Sequence, residues 1–121
     1  MISIEHLRLY PFFRSLTEAQ LRAIAMIAEE EHVEAGVTLF QEGQSADALY
    51  LLEDGRVDLY YMVGEARFSD IRKGIPVGEI NPGEAFSISA LIEPHVLSST
   101  AYVSKPSRIL KIDAQALKAL F

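Results

Sequence analysis

Hydrophobic residues change their spacing twice along the chain. Between residues 21 and 27 they fall at Leu21, Ile24, Ala25 and Ile27, the three-to-four spacing of a helix with one buried face. Thr17 stands just ahead of that run with Gln20 three positions on, a capping-box pattern that predicts the start of the helix. Before it, Leu9, Pro11, Phe12 and Phe13 form an apolar hinge, and Pro11 stops any helix begun over Ile4–Leu9. The acidic run Glu29–Glu31 reads as the solvated end of the helix.

From His32 the period falls to two, and short apolar runs are separated by glycine. Val37, Leu39 and Phe40 lie between Gly36 and Gly43, and Leu49–Leu52 is apolar throughout. Asp54-Gly55 comes next, a dipeptide that accepts the positive φ angles of a type I′ turn, so it predicts a hairpin joining two adjacent antiparallel strands. Past it, Val57, Leu59 and Tyr61 alternate with Asp58, Tyr60 and Met62, the pattern of a half-buried strand. Gly64–Ala66 reads as a second turn, Phe68–Arg72 as a return strand, and Gly74–Gly83 as loop and short strand. A helical turn is expected near Ser87–Leu91, and strands at Thr100–Val103 and Arg108–Ile112. Asp113 then caps a helix over AQALKALF, whose Leu117, Leu120 and Phe121 stripe has no evident partner in the chain. Many short strands with turns every eight to twelve residues, and helices only at the ends, predict one antiparallel β domain over residues 1–121.

Composition narrows the function more than the fold. Half of the 121 residues are hydrophobic and 23% are charged, enough to bury a core and too apolar for intrinsic disorder. Eleven basic against seventeen acidic residues give a net charge of −6, which argues against this chain gripping nucleic acid by itself. Without cysteine there is no disulfide framework, thiolate nucleophile or thiolate metal site. No apolar run approaches the ~18 residues of a membrane span, and the early charges of MISIEHLRLY do not suit a signal peptide, so the expected location is cytoplasmic, away from membranes. His6, His32 and His95 are far apart, with no His-x-His pair for a barrel metal site. No Gly-x-Ser-x-Gly elbow occurs either. No catalytic or metal residues are assigned, and the chain is not expected to be an enzyme.

The stretch from Gly36 to Tyr60, GVTLFQEGQSADALYLLEDGRVDLY, places Gly36, Gly43 and Gly55 around the runs Leu39-Phe40 and Leu49–Leu52. In that spacing, with Ala46-Asp47 between, it resembles the cyclic nucleotide-binding domain family, the sensory module of catabolite-activator-type regulators, kinase regulatory subunits and gated channels. FFRSLTEAQLRAI resembles the family's leading helix, Asn81-Pro82-Gly83-Glu84 with Ser89-Ala90-Leu91 the start of its phosphate-binding cassette, and RILKIDAQALKAL its last strand and following helix. The resemblance implies a mainly β fold, a double-stranded β-helix or jelly-roll-like barrel with flanking N- and C-terminal helices. It implies a ligand site over Gly83, Glu84, Ala85, Phe86, Ser87, Val96, Leu97, Ser98 and Ser99. There Glu84 would take the ribose hydroxyl, and Ser98 or Ser99 a phosphate oxygen.

One departure bears on function. Nucleotide-binding members of the family carry an arginine just before the late Ser or Thr, whereas no Lys or Arg occurs here from Gly83 to Ser104. A charge-assisted bond to a cyclic phosphate contributes roughly 1.5–3 kcal/mol, so its loss weakens binding by about ten- to a hundredfold. An arginine at Val96 or Leu97 is expected to restore the pair. The expected function is a regulatory sensor domain that binds cyclic AMP, cyclic GMP or another small anionic effector weakly. The alternatives are a ligand-free interaction domain, homodimeric through its C-terminal helix, and the effector half of a catabolite-activator-type transcription regulator.

Overall fold

A long antiparallel ribbon organises the molecule. The computed structural model describes residues 2–62, 74–92 and 95–120. In chain order the elements are α1 (Ile4–Leu7), a 3₁₀ turn (Pro11–Phe13), α2 (Glu18–Ile27), β1 (Ala28–Val33), β2 (Thr38–Phe40) and β3 (Ala48–Met62). There follow β4 (Gly74–Ile80), β5 (Ala85–Phe86), a second 3₁₀ turn (Ile88–Leu91), β6 (Thr100–Asp113) and α3 (Ala114–Lys118). The strands form one hydrogen-bonded antiparallel system in the order β1-β6-β3-β4, with β2 added to β6 and β5 to β3. The curled sheet encloses an apolar interior, giving the jelly-roll-like barrel with helices at its flanks. No helix among the described residues is long and apolar enough to cross a membrane.

The helices follow their sequence signals. Thr17 accepts from Gln20 N–H while the Gln20 side chain accepts from Thr17 N–H, completing the capping box. Leu21, Ile24 and Ala25 are buried. Ser3 caps α1, and Pro11 opens the 3₁₀ turn after α1 has ended. The acidic residues 29–31, however, do not end a helix. They lie in β1 and pair with Lys111, Leu110 and Ile109 of β6, an outcome of sheet pairing that charge patterning does not report.

The Asp54-Gly55 hairpin does not form. β3 runs on from Ala48 to Met62, and both of its halves pair with β6, with register shifts from Leu52 to Val57. Likewise the two strands expected at 100–103 and 108–112 are one, β6. Gly55, at φ +105°, is a bulged corner where the ribbon bends as a unit. A Cβ there would meet the Ser107 Oγ, with Pro106 O and Ser107 Cα both at 2.7 Å. Ser107 Oγ accepts from Arg56 N–H (3.1 Å) and donates to Lys105 C=O (2.7 Å), satisfying the backbone that the bulge leaves out of register. The region 74–83 is more regular than expected, with seven residues in β4. The turn expected at Gly64–Ala66 and the strand expected at Phe68–Arg72 lie outside the described residues.

Leu49–Leu52 is apolar throughout because it is buried on both sides. Tyr50 and Leu52 enter the barrel with Val57, Val103 and Ile109. Leu49 and Leu51 face the helical layer, where Leu7, Phe13, Leu21, Ile24, Leu110 and Ile112 pack. Leu117 joins that second cluster at 3% exposure, and Leu120 packs partly against it. The C-terminal stripe is therefore covered by the chain's own helices at Leu117, and the apolar face expected to be bare there is not. Phe121 lies outside the described residues.

Glu53, just before the corner, keeps a carboxylate at 3% side-chain exposure. Its Oε2 accepts from Arg108 Nε at 3.2 Å and faces His6 Nε2 at 3.2 Å, tying α1 to the sheet. Tyr10 packs beside His6, ring centroids 5.9 Å apart. Burial, and then the Glu53 charge, push the Tyr10 phenol well above its usual value.

Two outcomes are expected. Gly55→Ala, forced into a positive φ and against the β6 backbone, should cost about 2–5 kcal/mol and lower Tm by roughly 10 °C or more in a thermal melt. Tyrosine ionisation is linked to folding with a definite sign. The unfolded chain releases the Tyr10 proton near pH 10 and the folded chain resists, so stability is whole below pH 10 and falls as pH rises beyond it. Denaturant titrations of Tyr10→Phe across that range should show a shallower alkaline loss than wild type.

Candidate functional site

The expected cassette is two backbone-held arms on one segment of chain. In the first arm, Gly83 at φ +93° closes a turn in which Glu84 N–H donates to Asn81 C=O. Gly83 N–H donates to Leu52 C=O (2.7 Å), and Leu52 N–H to Glu84 C=O (3.0 Å). β5 then pairs Ala85 with Leu51 and Phe86 with Tyr50. Phe86 points inward and stacks on Tyr50, centroids 5.3 Å apart, with Phe40 beside both. Ser87 adopts the left-handed conformation, φ 63° and ψ 39°, where glycine is usual. Its Oγ donates to Ala48 C=O at 2.8 Å, which anchors a non-glycine residue in that conformation.

The second arm, residues 95–100, lies along Gly43–Ala46. Ala46 N–H donates to His95 C=O, Leu97 N–H to Gln44 C=O and Gly43 N–H to Leu97 C=O, all at 2.8–2.9 Å, and Val96 bridges to Ser45. His95 also has a positive φ, 60°. Thr100, 1% exposed, accepts from Glu42 N–H through Oγ1. Leu97 is buried in the barrel core at 6% exposure, Val96 and Ser98 are exposed, and Ser99 is half-buried.

Between the arms and the neighbouring strands the barrel opens into a cavity of about 420 Å³. Leu39, Phe40, Ala48, Tyr50 and Leu97 form its apolar wall, and Glu29, Asp47, Asp113 and Lys111 its charged lining. Of the nine residues expected to form the site, Leu97 lines this cavity; Phe86 stands behind its aromatic wall, stacked on Tyr50. Glu84 is exposed, and its Oε1 accepts from Asn81 N–H at 2.6 Å, so its carboxylate serves its own turn. The structure thus joins Ala85–Ser87 and Val96–Leu97 through the segment 43–51, and leaves Glu84 and Val96 on the surface.

Sequence reading missed the charged lining. Lys111 faces the barrel side because it lies opposite Tyr50 and Glu29, and that register is a product of the sheet. A signal was present: inward positions of β6 read Ala101, Val103 and Ile109 before Lys111 interrupts them. Tyr50 has its phenol pushed up, first by burial and then by the charges of Glu31 and Asp47. Chemically the arrangement is suited to holding a small molecule between aromatic rings and carboxylates. Among the described residues no group of three or more His, Asp or Glu is placed to hold a metal ion.

Comparison with known proteins agrees with this architecture. The family model for the cyclic nucleotide-binding domain matches residues 30–121. A putative cyclic nucleotide-binding protein from Geobacter metallireducens GS-15 superposes with a TM-score of 0.81 at 38% identity, over 99% of this chain and 89% of that one. A cyclic nucleotide-binding-like protein from Brucella abortus gives 0.78 at 27% identity, over 97% and 95%. The cGMP-dependent protein kinase egl-4 of Caenorhabditis briggsae is 24% identical over 110 residues, which cover 89% of this chain but only 14% of the kinase. The chain thus spans a small fraction of the length of the curated kinase it matches. With the family model matched over residues 30–121, most of the chain, the chain belongs to the cyclic nucleotide-binding domain family.

Proposed function

We propose that this chain is a regulatory, non-catalytic effector-binding domain that takes cyclic AMP and cyclic GMP only weakly. The observation that carries the reading is a cassette with its backbone arms intact and no cationic side chain from Gly83 to Ser104. The cavity beside it adds three carboxylates against one ammonium, a field that opposes a cyclic phosphate. Ser98 and Ser99 remain as hydroxyls for a ligand, while the Ser87 hydroxyl is engaged by Ala48 C=O. Homodimerisation through α3 loses its main support, because Leu117 is already used in the helical layer.

The test is calorimetry with cyclic AMP on wild type, Val96→Arg and Ser98→Arg. Leu97 is unsuitable for this, since an arginine there would bury a guanidinium in the core. Wild type should bind no tighter than millimolar. At least one of the two exposed positions should gain about ten- to a hundredfold from the restored charge-assisted pair. Micromolar binding by wild type would refute the weak-pocket reading.

A further inference from the structure

The cavity at the barrel mouth has a chemistry of its own, and the argument rests on the effector-binding reading above. Its volume, about 420 Å³, falls within the roughly 300–1,000 Å³ common for small-molecule sites. Phe40, Tyr50, Leu39 and Leu97 give it an apolar wall, and its rim is acidic. Asp47 carries no side-chain hydrogen bond or ion pair among the described residues, and Glu29 is exposed on β1. Asp113 already accepts from Ala116 N–H as the cap of α3, so it contributes field more than contact. Lys111 is the cation among the lining residues, and no ion pair within 4 Å joins it to the three carboxylates. The excess is two negative charges.

Tyr50 is the second and independent observation. Its ring is largely buried against Phe86 and Phe40 and lines the cavity, while its hydroxyl stays accessible and has no hydrogen-bond partner among the described residues. An accessible, unpartnered phenol on a cavity wall is a polar handle that a ligand atom can meet. Its neighbours in charge are Glu31 on β1 and Asp47 ahead of β3, with Lys111 opposite it on β6. A group that accepts from the phenol while carrying a positive centre toward Asp47 and Glu29 fits this lining, and an anion does not.

From the pairing of an aromatic wall with an unpartnered Tyr50 hydroxyl and an acidic rim, we propose that this cavity binds a small organic cation, an ammonium compound with an apolar body. The hydrocarbon part lies on Phe40 and Tyr50, and the ammonium centre faces Asp47 and Glu29. Lys111 sets an upper limit on affinity by repulsion. The site is therefore an effector site whose ligand charge is opposite to that of a cyclic nucleotide.

Three probes of one shape separate the charge from the fit: benzylamine, benzyl alcohol and benzoate, titrated into the full chain by calorimetry or by ligand-observed NMR, with cyclic AMP as a fourth arm. Benzylamine should bind tightest and benzoate should not bind. Asp47→Asn should weaken benzylamine about two- to fivefold, the scale of a partly exposed ion pair. Lys111→Met should tighten it by a similar factor, an effect that a merely structural role for Lys111 does not produce. Melting of each variant without ligand checks that the fold is kept, and Glu29→Gln supplies a second variant should Asp47→Asn unfold. Benzoate binding tighter than benzylamine, or benzylamine affinity unchanged in both Asp47→Asn and Lys111→Met, overturns the inference. Cyclic AMP binding that tightens in Ser98→Arg while benzylamine fails overturns the inference and leaves the effector-domain reading standing. Failure of benzylamine in wild type overturns the inference, and failure of cyclic AMP in wild type, Val96→Arg and Ser98→Arg alike overturns the effector-domain reading.

Discussion

The close approach of Gly55 to Pro106 and Ser107 is the constraint on which the rest of the molecule depends. β3 and β6 are fifteen and fourteen residues long and remain paired along most of their length. Two strands that long must bend to enclose a core, and they bend together where Gly55 leaves no Cβ between them and Ser107 fills the broken ladder with its hydroxyl. On one side of the corner the ribbon is buried on both faces, by the barrel interior and by the helices. On the other, Val57 is buried, residues 58–60 are half-buried and Tyr61 is exposed, so cover falls away along the strand. The distribution of apolar residues along β3 is the record of that geometry.

The same corner carries the connection between the helical layer and the sheet. Glu53 lies two residues before Gly55 and receives Arg108 from the opposite strand and His6 from α1. A carboxylate this buried is tolerated because the Arg108 guanidinium stands on it, and removing that partner leaves a charge that water cannot reach. Glu53 Oε1 and His6 Nε2 nevertheless lack hydrogen-bond partners. The contact therefore holds α1 in place with part of its bonding capacity unused, beside Tyr10, whose phenol is pushed up first by burial and then by the Glu53 charge.

The two arms of the proposed cassette are held by main-chain bonds. Main-chain bonds from 43–46 to 95–97, and from 50–52 to 83–86, position both arms, and main-chain bonds are indifferent to side-chain charge. An arm can thus lose a phosphate-binding arginine and keep its place. Ser87 makes the point in miniature. Its left-handed backbone is held by a hydrogen bond from its own Oγ to Ala48, so the turn survives without glycine.

Much was legible from residue order alone. The capping box at Thr17 and Gln20, the stop at Pro11, the N-cap at Asp113 and the glycine spacing from Gly36 to Gly55 are local signals, set by backbone conformation and by contacts within a few residues. They were sufficient for an antiparallel β domain with helices at its ends, and the family resemblance carried by the glycine spacing supplied the barrel. Other features depend on which strand lies opposite which, and no local pattern encodes that. Asp54-Gly55 has the dipeptide of a hairpin, yet both flanking segments found the same partner in β6, and the glycine was needed for close packing against Ser107. Glu29–Glu31 look like a solvated helix end, yet β6 offered an unpaired edge. Glu84 follows glycine as a ribose-binding carboxylate would, yet Asn81 N–H is nearer to it than any cavity. Cross-strand register also carried Lys111 and Tyr50 to one opening with Asp47, three residues distant in sequence or strand that share nothing until the ribbon folds over. Sequence determined the elements whose causes are local, and the tertiary structure decided the corner, the covered C-terminal stripe and the charge of the cavity, because those arise from pairing across the sheet.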